Sequence, residues 1–313
     1  MTFLNKPMNR TCRLVFSGFM ACVSPAVLGG CSSVSLLHPK GPVGARELED
    51  IGVAFALMLI VVIPVTFLAY WFPRRYDASN PKGDYAPTWS HSAKIDLIVW
   101  LIPGVIVTAL GVLTWTDTHR LDPARPIEAA VKPIDVDVVS LDWKWLFIYP
   151  DRDIATVNEL VLPIGVPVNF RLTSDTVVTD FFIPQLGSQI YAMAGRKSRL
   201  HLLASQTGVY VGQNQQFSGR GYSDMNFKVF VTSARRFKTW VRKAKKAPDG
   251  LDLARFETLR RPSEDYPATV FSSVRPDLFD EIVAGYHAAA ASTAAADGAV
   301  GSFSSNAGVV QND

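Results

Sequence analysis

The middle of the chain reads Val139-Ser140-Leu141-Asp142-Trp143-Lys144-Trp145-Leu146-Phe147, and hydrophobic side chains recur there at every second position. This alternation predicts a β-strand with one buried face, because successive side chains of a strand point to opposite sides. Trp143 and Trp145 fall on the same face, which predicts packing in a core or an interface. Val136 and Val138 follow the opposite parity, so we expect a β-bulge near Val138 and Val139.

Similar alternation occurs in residues 166–172 and 227–231. Short alternating strands separated by Gly and Pro predict an all-β sandwich or barrel of about 100 residues. We assign this domain to residues 132–234.

Helical spacing returns in residues 235–287, which we predict to form a helical C-terminal extension. Its first apolar face consists of Phe237, Trp240, Val241 and Ala244. Basic residues occupy the opposite face, and such a face is most often simply solvated. A second helix is expected to begin at Pro276. The tail, residues 288–313, is rich in Ala, Ser and Gly and is expected to be disordered.

Two apolar runs, residues 51–72 and 95–116, predict a transmembrane hairpin within residues 31–116. Each run has 22 residues, and at about 1.5 Å per residue each spans a hydrocarbon core of roughly 30 Å. The connector, residues 73–94, carries four Lys and Arg against two Asp. The positive-inside rule therefore places the connector in the cytoplasm. The N-terminus, a linker at 117–131 and the β-domain are then expected on the outer, periplasmic face.

Residues 1–30 predict a signal peptide, because basic residues without acidic ones precede an apolar run at 14–28. The segment ends in Leu28-Gly29-Gly30-Cys31, which resembles the lipobox of a bacterial lipoprotein. That resemblance implies cleavage before Cys31 and lipid attachment to it. The alternative is ordinary secretion with an incidental cysteine. Together with the hairpin, these features predict a multi-pass lipoprotein of the bacterial inner membrane, in contact with membrane lipid.

Charge and cysteine content exclude several classes of function. The chain has 313 residues, of which 48% are hydrophobic and 19% charged. Without the signal peptide, 28 of the 31 Lys and Arg remain against 28 Asp and Glu, so we expect no nucleic-acid partner. The three cysteines are Cys12, Cys22 and Cys31. The β-domain therefore has no thiolate for a zinc site or a copper pair, and no disulfide framework.

The segment 211–225 reads Val-Gly-Gln-Asn-Gln-Gln-Phe-Ser-Gly-Arg-Gly-Tyr-Ser-Asp-Met. It resembles the copper-binding loop of subunit II of the haem–copper respiratory oxidases, Gly-Gln-Cys-x-Glu-x-Cys-Gly-x-Gly-His-x-x-Met. Segments 142–150, 181–195 and 262–279 resemble the same family, so the likeness covers roughly residues 35–287. At the ligand positions that the resemblance implies, this chain has Thr179 and Tyr222 in place of histidines and Asn214 and Ser218 in place of cysteines. Gln216 stands in place of the glutamate, and the methionine is retained as Met225.

This pattern resembles subunit II of a bo-type ubiquinol oxidase, the branch of the family that lacks the dinuclear copper centre. The resemblance implies a cupredoxin-like sandwich without copper, in a complex that oxidises ubiquinol, reduces oxygen to water and pumps protons. It implies that haem and copper belong to the large partner subunit I, that other oxidase subunits are also partners, and that cytochrome c is not. This chain would then be a structural or assembly subunit with no catalytic residue, cofactor or metal of its own.

Trp143 and Trp145 align with an aromatic run near the donor-docking face of the cytochrome c enzymes, and we favour packing or interface contact for both. A cytochrome c oxidase is disfavoured because the Cys and His ligands are lost. The alternative from another class is a free-standing membrane lipoprotein with a cupredoxin-like binding or assembly module.

Asp96 lies at the cytoplasmic end of the second apolar run. Related oxidases carry a carboxylate here, near a proton-uptake path, so the resemblance implies a proton-uptake aid. An acid at a helix N-terminus also interacts favourably with the helix dipole. The sequence leaves both roles open.

Overall fold

The computed structural model describes residues 35–77 and 90–288. The expectations for the signal peptide, Cys31, residues 78–89 of the connector and the tail beyond residue 288 lie outside these described residues.

Two long apolar helices come first. Helix α1 runs Pro42–Arg75 and helix α2 runs Ala93–Arg120. Both are long and apolar enough to cross a membrane, and the most hydrophobic window of each is unburied. The predicted spans lie inside these helices, but α2 continues past the expected start of the linker at residue 117. Since exposed apolar helices are unfavourable in water, lipid or partner helices must surround them.

The β-domain is a two-layer sandwich. Its strands are β1 Ile134–Leu141, β2 Lys144–Tyr149, β3 Ile154–Val157, β4 Glu159–Pro163, β5 Pro167–Ser174, β6 Thr179–Phe182, β7 Gln189–Ala192, β8 Ser198–Leu203, β9 Gly208–Gln213 and β10 Asn226–Thr232. One sheet has the order β11-β3-β2-β1-β5-β8, where β11 is Thr269–Phe271, and the other has the order β4-β10-β9-β6-β7. This is the expected cupredoxin-like sandwich.

Two expectations about the opening stretch are wrong. Strands β1 and β2 pair in an antiparallel register that is uninterrupted from the pair Asp137–Ile148 to the pair Leu141–Lys144. The expected bulge is therefore absent from this pairing. The stretch is not one strand, because a two-residue turn separates β1 from β2. Trp143 lies in that turn with a φ of 62°, so it does not share a strand face with Trp145.

Aromatic side chains fill the space between the sheets. Trp145 and Phe147 are fully buried there beside Phe181 and Phe227. The rings of Phe181 and Phe227 stack with centroids 5.2 Å apart, and Trp145 meets both rings edge-on. Such offset and edge-to-face contacts stabilise a core beyond simple area burial.

From Leu251 onward the C-terminal extension covers the outer face of the sheet that contains β1 and β2, whereas its first helix packs against the core between the two sheets. It contains α3 Ala234–Ala244, α4 Leu253–Leu259, strand β11 and a helix, α5, over residues 278–288. The extension is therefore not purely helical, and its last helix begins two residues after Pro276. A second core lies beneath it, formed by Val139, Leu141, Leu146, Ile148, Phe256, Phe271 and Phe279 with their neighbours. Both faces of β1 are thus buried, which explains the apolar residues on both parities.

The start of α1 is fixed to the sandwich. The backbone N–H of Gly44 donates to the Leu186 carbonyl oxygen at 3.0 Å. The Glu47 carboxylate accepts from the Ser188 backbone N–H at 2.7 Å and from its hydroxyl at 3.0 Å. These contacts hold the β-domain against the N-terminal end of α1.

Candidate functional site

The candidate site is the loop of residues 214–225 between β9 and β10. Because β9 pairs with β6 at Gln213 and Phe182, the loop continues alongside β6. The N–H of the Trp143 indole reaches the loop from the β1–β2 turn and donates to the Ser218 carbonyl oxygen at 2.9 Å. Two other segments of the chain, β6 and the β1–β2 turn, therefore contact this loop.

Asn214 is the centre of the site and is buried. Its side-chain oxygen accepts from the backbone N–H groups of Asp180 at 2.9 Å and Gln216 at 3.0 Å. Its amide nitrogen donates to the Gln216 carbonyl at 2.9 Å and the Ser218 hydroxyl at 3.1 Å, and lies 3.5 Å from the Met225 sulfur. An asparagine side chain has two donors and two acceptor lone pairs, so these contacts use its whole capacity.

The other implied ligand positions are only partly brought together. The Thr179 hydroxyl is buried and donates to the Ser140 hydroxyl at 2.7 Å. The Gln216 side chain is exposed, and only its backbone joins the network. The Tyr222 hydroxyl donates to the Gln215 carbonyl at 3.3 Å, and its ring lies 5.7 Å from that of Phe217. Asn214, Ser218 and Met225 form the compact group.

This group is a poor copper site on chemical grounds. A thioether and a hydroxyl are weak ligands without a thiolate or imidazole beside them. The one amide oxygen nearby already accepts two backbone hydrogen bonds. Among the described residues, no three His, Cys, Asp or Glu side chains come together in a metal-binding group. Asn214, Ser218 and Met225 thus contact one another, and Thr179 and Tyr222 form hydrogen bonds to other groups.

Trp143 holds the loop in place. A Cβ atom at Gly221 would lie 2.5 Å from Cδ2 of this indole, so the close approach requires glycine. The neighbouring Arg220 forms an ion pair with Glu264 of the extension at 3.0 Å. Trp143 therefore packs against the loop, whereas Trp145 packs inside the sandwich.

Asp180 is a buried acid that our sequence analysis did not single out. It is 2% exposed, and neither carboxylate oxygen has a hydrogen-bond partner among the described residues. Burial without a partner favours the neutral acid and raises the pKa of Asp180 to about 6. An acidic residue inside a short apolar segment, Asp180 before Phe181 and Phe182, was the only sequence signal.

Lys144 was also missed. Its side chain is fully buried, and its ammonium donates to the Arg261 carbonyl at 2.8 Å and the Ser263 hydroxyl at 2.5 Å. It also lies 5.3 Å from the centre of the Tyr266 ring. Burial lowers the pKa of Lys144 from its ordinary value. The lysine attaches the extension to the β1–β2 hairpin.

Asp96 lies far from this loop, in the first turn of α2 and exposed. Its backbone N–H donates to the Ser92 carbonyl oxygen at 2.9 Å. Its carboxylate is near the positive end of the α2 dipole.

Comparisons with known proteins agree with this architecture. The family model described as "Cytochrome C oxidase subunit II, periplasmic domain" matches residues 134–232, and the "COX Aromatic Rich Motif" matches residues 245–288. The "Cytochrome bo(3) ubiquinol oxidase subunit 2" of Pseudomonas aeruginosa is 50% identical over 84% of this chain and 80% of that protein.

The chain belongs to the ubiquinol oxidase subunit 2 family. Another relative, the "Ubiquinol oxidase subunit 2" of Acetobacter aceti, is 46% identical over 84% of this chain and 86% of that protein. The "Quinol oxidase subunit 2" of Bacillus subtilis is 34% identical over 81% and 79%. Among solved structures, the periplasmic domain of subunit II of cytochrome oxidase from Bradyrhizobium japonicum matches with a TM-score of 0.37 and 24% identity, over 39% of this chain and 98% of that one.

Family membership makes this chain a subunit of a ubiquinol oxidase, an oxidoreductase complex of the respiratory chain. The two long apolar helices and the periplasmic domain fit a subunit of an inner membrane.

Proposed function

We propose that this chain is a structural subunit of a ubiquinol oxidase, without its own redox centre. The Asn214 network carries the proposal, because the Asn214 side chain bonds to the Ser218 hydroxyl and lies against the Met225 sulfur, and its oxygen is taken up by backbone N–H groups. Haem and copper then belong to the large partner subunit I. Ubiquinol dissolves in the bilayer and can reach that subunit directly, so neither a copper relay in the periplasm nor a cytochrome c donor is needed.

The helical hairpin is the surface proposed to bind subunit I and other oxidase subunits. Helices α1 and α2 expose apolar side chains along most of their length, including Trp100, Val107 and Trp115. In a bilayer, packing rather than the hydrophobic effect holds such helices against partner helices. Trp145 is proposed to support the sandwich that caps this hairpin, and Trp143 to hold the loop.

The proposal is tested by isolating the complex through a tag on this chain and measuring oxygen uptake. We expect uptake with ubiquinol and none with reduced cytochrome c. We also expect the isolated complex to contain haem and copper, and copper to be absent from this chain when it is separated from its partners. Uptake with cytochrome c, or a copper signal from the separated chain, would contradict the proposal.

Lipid attachment at Cys31 and the orientation of the hairpin are further proposals. The Leu28-Gly29-Gly30-Cys31 segment supports lipidation, and the basic connector at 73–94 supports a cytoplasmic position. Intact mass measurement should show a chain that begins at residue 31 and carries acyl groups. The Cys31→Ser variant should carry no acyl groups. Labelling of whole cells should leave a cysteine introduced at Asn80 unmodified until the membrane is permeabilised.

We also propose that Asp96 aids proton uptake. Its exposed position at the start of α2 supports access from the cytoplasm. Asp96→Asn keeps the size and polarity of the side chain but removes its charge, and should slow turnover and reduce pumping in the assembled enzyme. Unchanged turnover and pumping would leave only the helix-dipole role, which a lower thermal stability would reveal.

A further inference from the structure

Helix α3 and the two residues that follow it present a concentrated basic surface, here called the basic face. It consists of Arg235, Arg236, Lys238, Arg242, Lys243, Lys245 and Lys246. All seven residues are exposed, and residues 233–248 contain no Asp or Glu. None of the seven forms an ion pair within the described part of the chain, whereas Arg255, Arg260 and Arg275 of the same extension all do. The basic face is therefore a local excess of positive charge without internal neutralisation.

The basic face cannot turn inward, because the opposite side of α3 is fixed in the core. Phe237 and Ala244 are buried, and Trp240 lies edge-on to the buried ring of Tyr149 with centroids 5.4 Å apart. Rotation of the helix would expose these apolar groups to water, which is unfavourable. The cations are thus held in an outward orientation.

Helix α3 begins at the end of the sandwich to which the membrane hairpin is attached. It follows β10 directly, and three backbone hydrogen bonds connect the end of β10 to the chain just before α1. These bonds run from Ile164 N to Thr232 O at 2.9 Å, from Gly165 N to Ala204 O at 2.8 Å, and from Ser205 N to Lys40 O at 2.7 Å. A basic surface that starts at this end of the domain is placed to face the membrane.

We propose that the basic face binds the anionic phospholipid headgroups of the membrane that the hairpin crosses. An anionic lipid surface attracts nearby Lys and Arg side chains, and the attraction falls off within a Debye length. That length is about 10 Å at 0.1 M salt and about 3 Å at 1 M. This contact would orient the sandwich on the bilayer surface, in addition to the covalent connection between the sandwich and the hairpin. High salt would weaken the contact and release the basic face from the lipid headgroups.

The test places a fluorophore on Thr239, an exposed residue in the middle of the basic face, through Thr239→Cys in the assembled complex. Nanodiscs contain either phosphatidylcholine alone or a mixture with phosphatidylglycerol, and each contains lipid with a nitroxide-labelled headgroup as quencher. We expect quenching to be at least about threefold stronger in the anionic discs, and to fall to the level of neutral discs at about 1 M salt.

Charge-neutralised variants separate the basic face from general electrostatics. Arg236→Gln, Lys238→Gln and Lys243→Gln together should abolish the extra quenching. The matched control combines Arg196→Gln, Arg199→Gln and Arg261→Gln, which remove three exposed cations near the opposite end of the sandwich, and should leave the quenching intact. Equal quenching in both lipids, or persistence in the first variant, would overturn the proposal. Photocross-linking from position 239 to another polypeptide instead of lipid would also overturn it, in favour of an acidic protein partner.

Discussion

At the scale of single residues, the buried carboxyl group of Asp180 leads us to predict that the stability of the chain depends on pH. Its pKa in the folded chain is about 6, above the ordinary 3.8, so the folded state binds this proton more tightly than the unfolded state. The contribution of Asp180 to the free energy of unfolding is therefore highest below about pH 4 and falls as the pH rises toward and through about 6. Above that range, the raised pKa of Asp180 lowers the free energy of unfolding by about 3 kcal/mol at most. Asp180→Asn should raise the unfolding free energy by about 1–3 kcal/mol at pH 7.5 and change it little at pH 4.

Thermal unfolding of the detergent-solubilised chain at both pH values measures this effect. Asp224→Asn is the control, because Asp224 is an exposed acid near the same site. An equal effect of Asp180→Asn at both pH values would show that the ionised carboxylate is not the source of the cost.

A substitution at Gly221, in the candidate-site loop, is expected to cause a steric clash. Gly221→Ala would place a methyl group 2.5 Å from the Trp143 indole, so either the ring or the loop must move, at a cost of about 1–3 kcal/mol. The thermal stability should fall accordingly. In a Trp143→Ala background the same change should cost much less, since the clash is absent. Equal costs in both backgrounds would place the strain elsewhere in the loop.

The resemblance implied the ligand positions but not how the side chains at those positions are arranged. The sequence showed that Asn214 and Ser218 stand where thiolates were implied, because residue identity alone decides that point. It could not show that Asn214 saturates its hydrogen bonds or that Asp180 is buried unpaired. Those facts depend on how β6 and the loop approach each other in space, and the intervening residues do not encode this in a local pattern.

At the scale of elements, Lys144 makes a prediction about the extension. Lys144→Met keeps a long apolar stem but removes the hydrogen bonds to Arg261 and Ser263. Hydrogen bonds to a charged group contribute about 1.5–3 kcal/mol, so residues 260–266 should open more often. Trypsin cleavage after Arg260 should then be about tenfold faster or more. Lys228→Met is the control, since Lys228 is exposed on β10. An unchanged cleavage rate would contradict the attachment role.

Sequence periodicity predicted strands well where one face is exposed and poorly where the extension covers the second face. Residues 227–231 alternate and form β10 with alternating burial. In β1 every residue from Val136 to Leu141 is buried, so the change of parity that suggested a bulge instead reflects a second core. The turn at Trp143 was hidden because its aromatic side chain continued the alternation. Burial by a distant segment is a tertiary effect that a local pattern does not report.

At the scale of the whole molecule, the contact between α1 and the sandwich fixes the β-domain to the first long apolar helix. Gly187 has a φ of +97°, and a Cβ atom there would lie 2.5 Å from the Gly44 nitrogen and 2.8 Å from its Cα. Gly187→Ala should force α1 away from the 186–188 loop and weaken the contact between Glu47 and Ser188. The clashing atoms of Gly44 belong to the backbone of α1, so they cannot move aside as the end of a flexible side chain would.

We therefore expect Gly187→Ala to destabilise the junction by about 2 kcal/mol or more and to lower the haem recovered per tagged chain. Gly165→Ala is the matched control, because Gly165 also has a positive φ, of +71°, but no atom within 4 Å of an added Cβ. The control shares the backbone strain without the clash against α1. Equal haem loss in both variants would mean that strain in the sandwich, rather than its attachment to the hairpin, limits assembly. Loss in Gly187→Ala alone would show that the junction orients the domain for assembly with the large subunit to which we assign the haem.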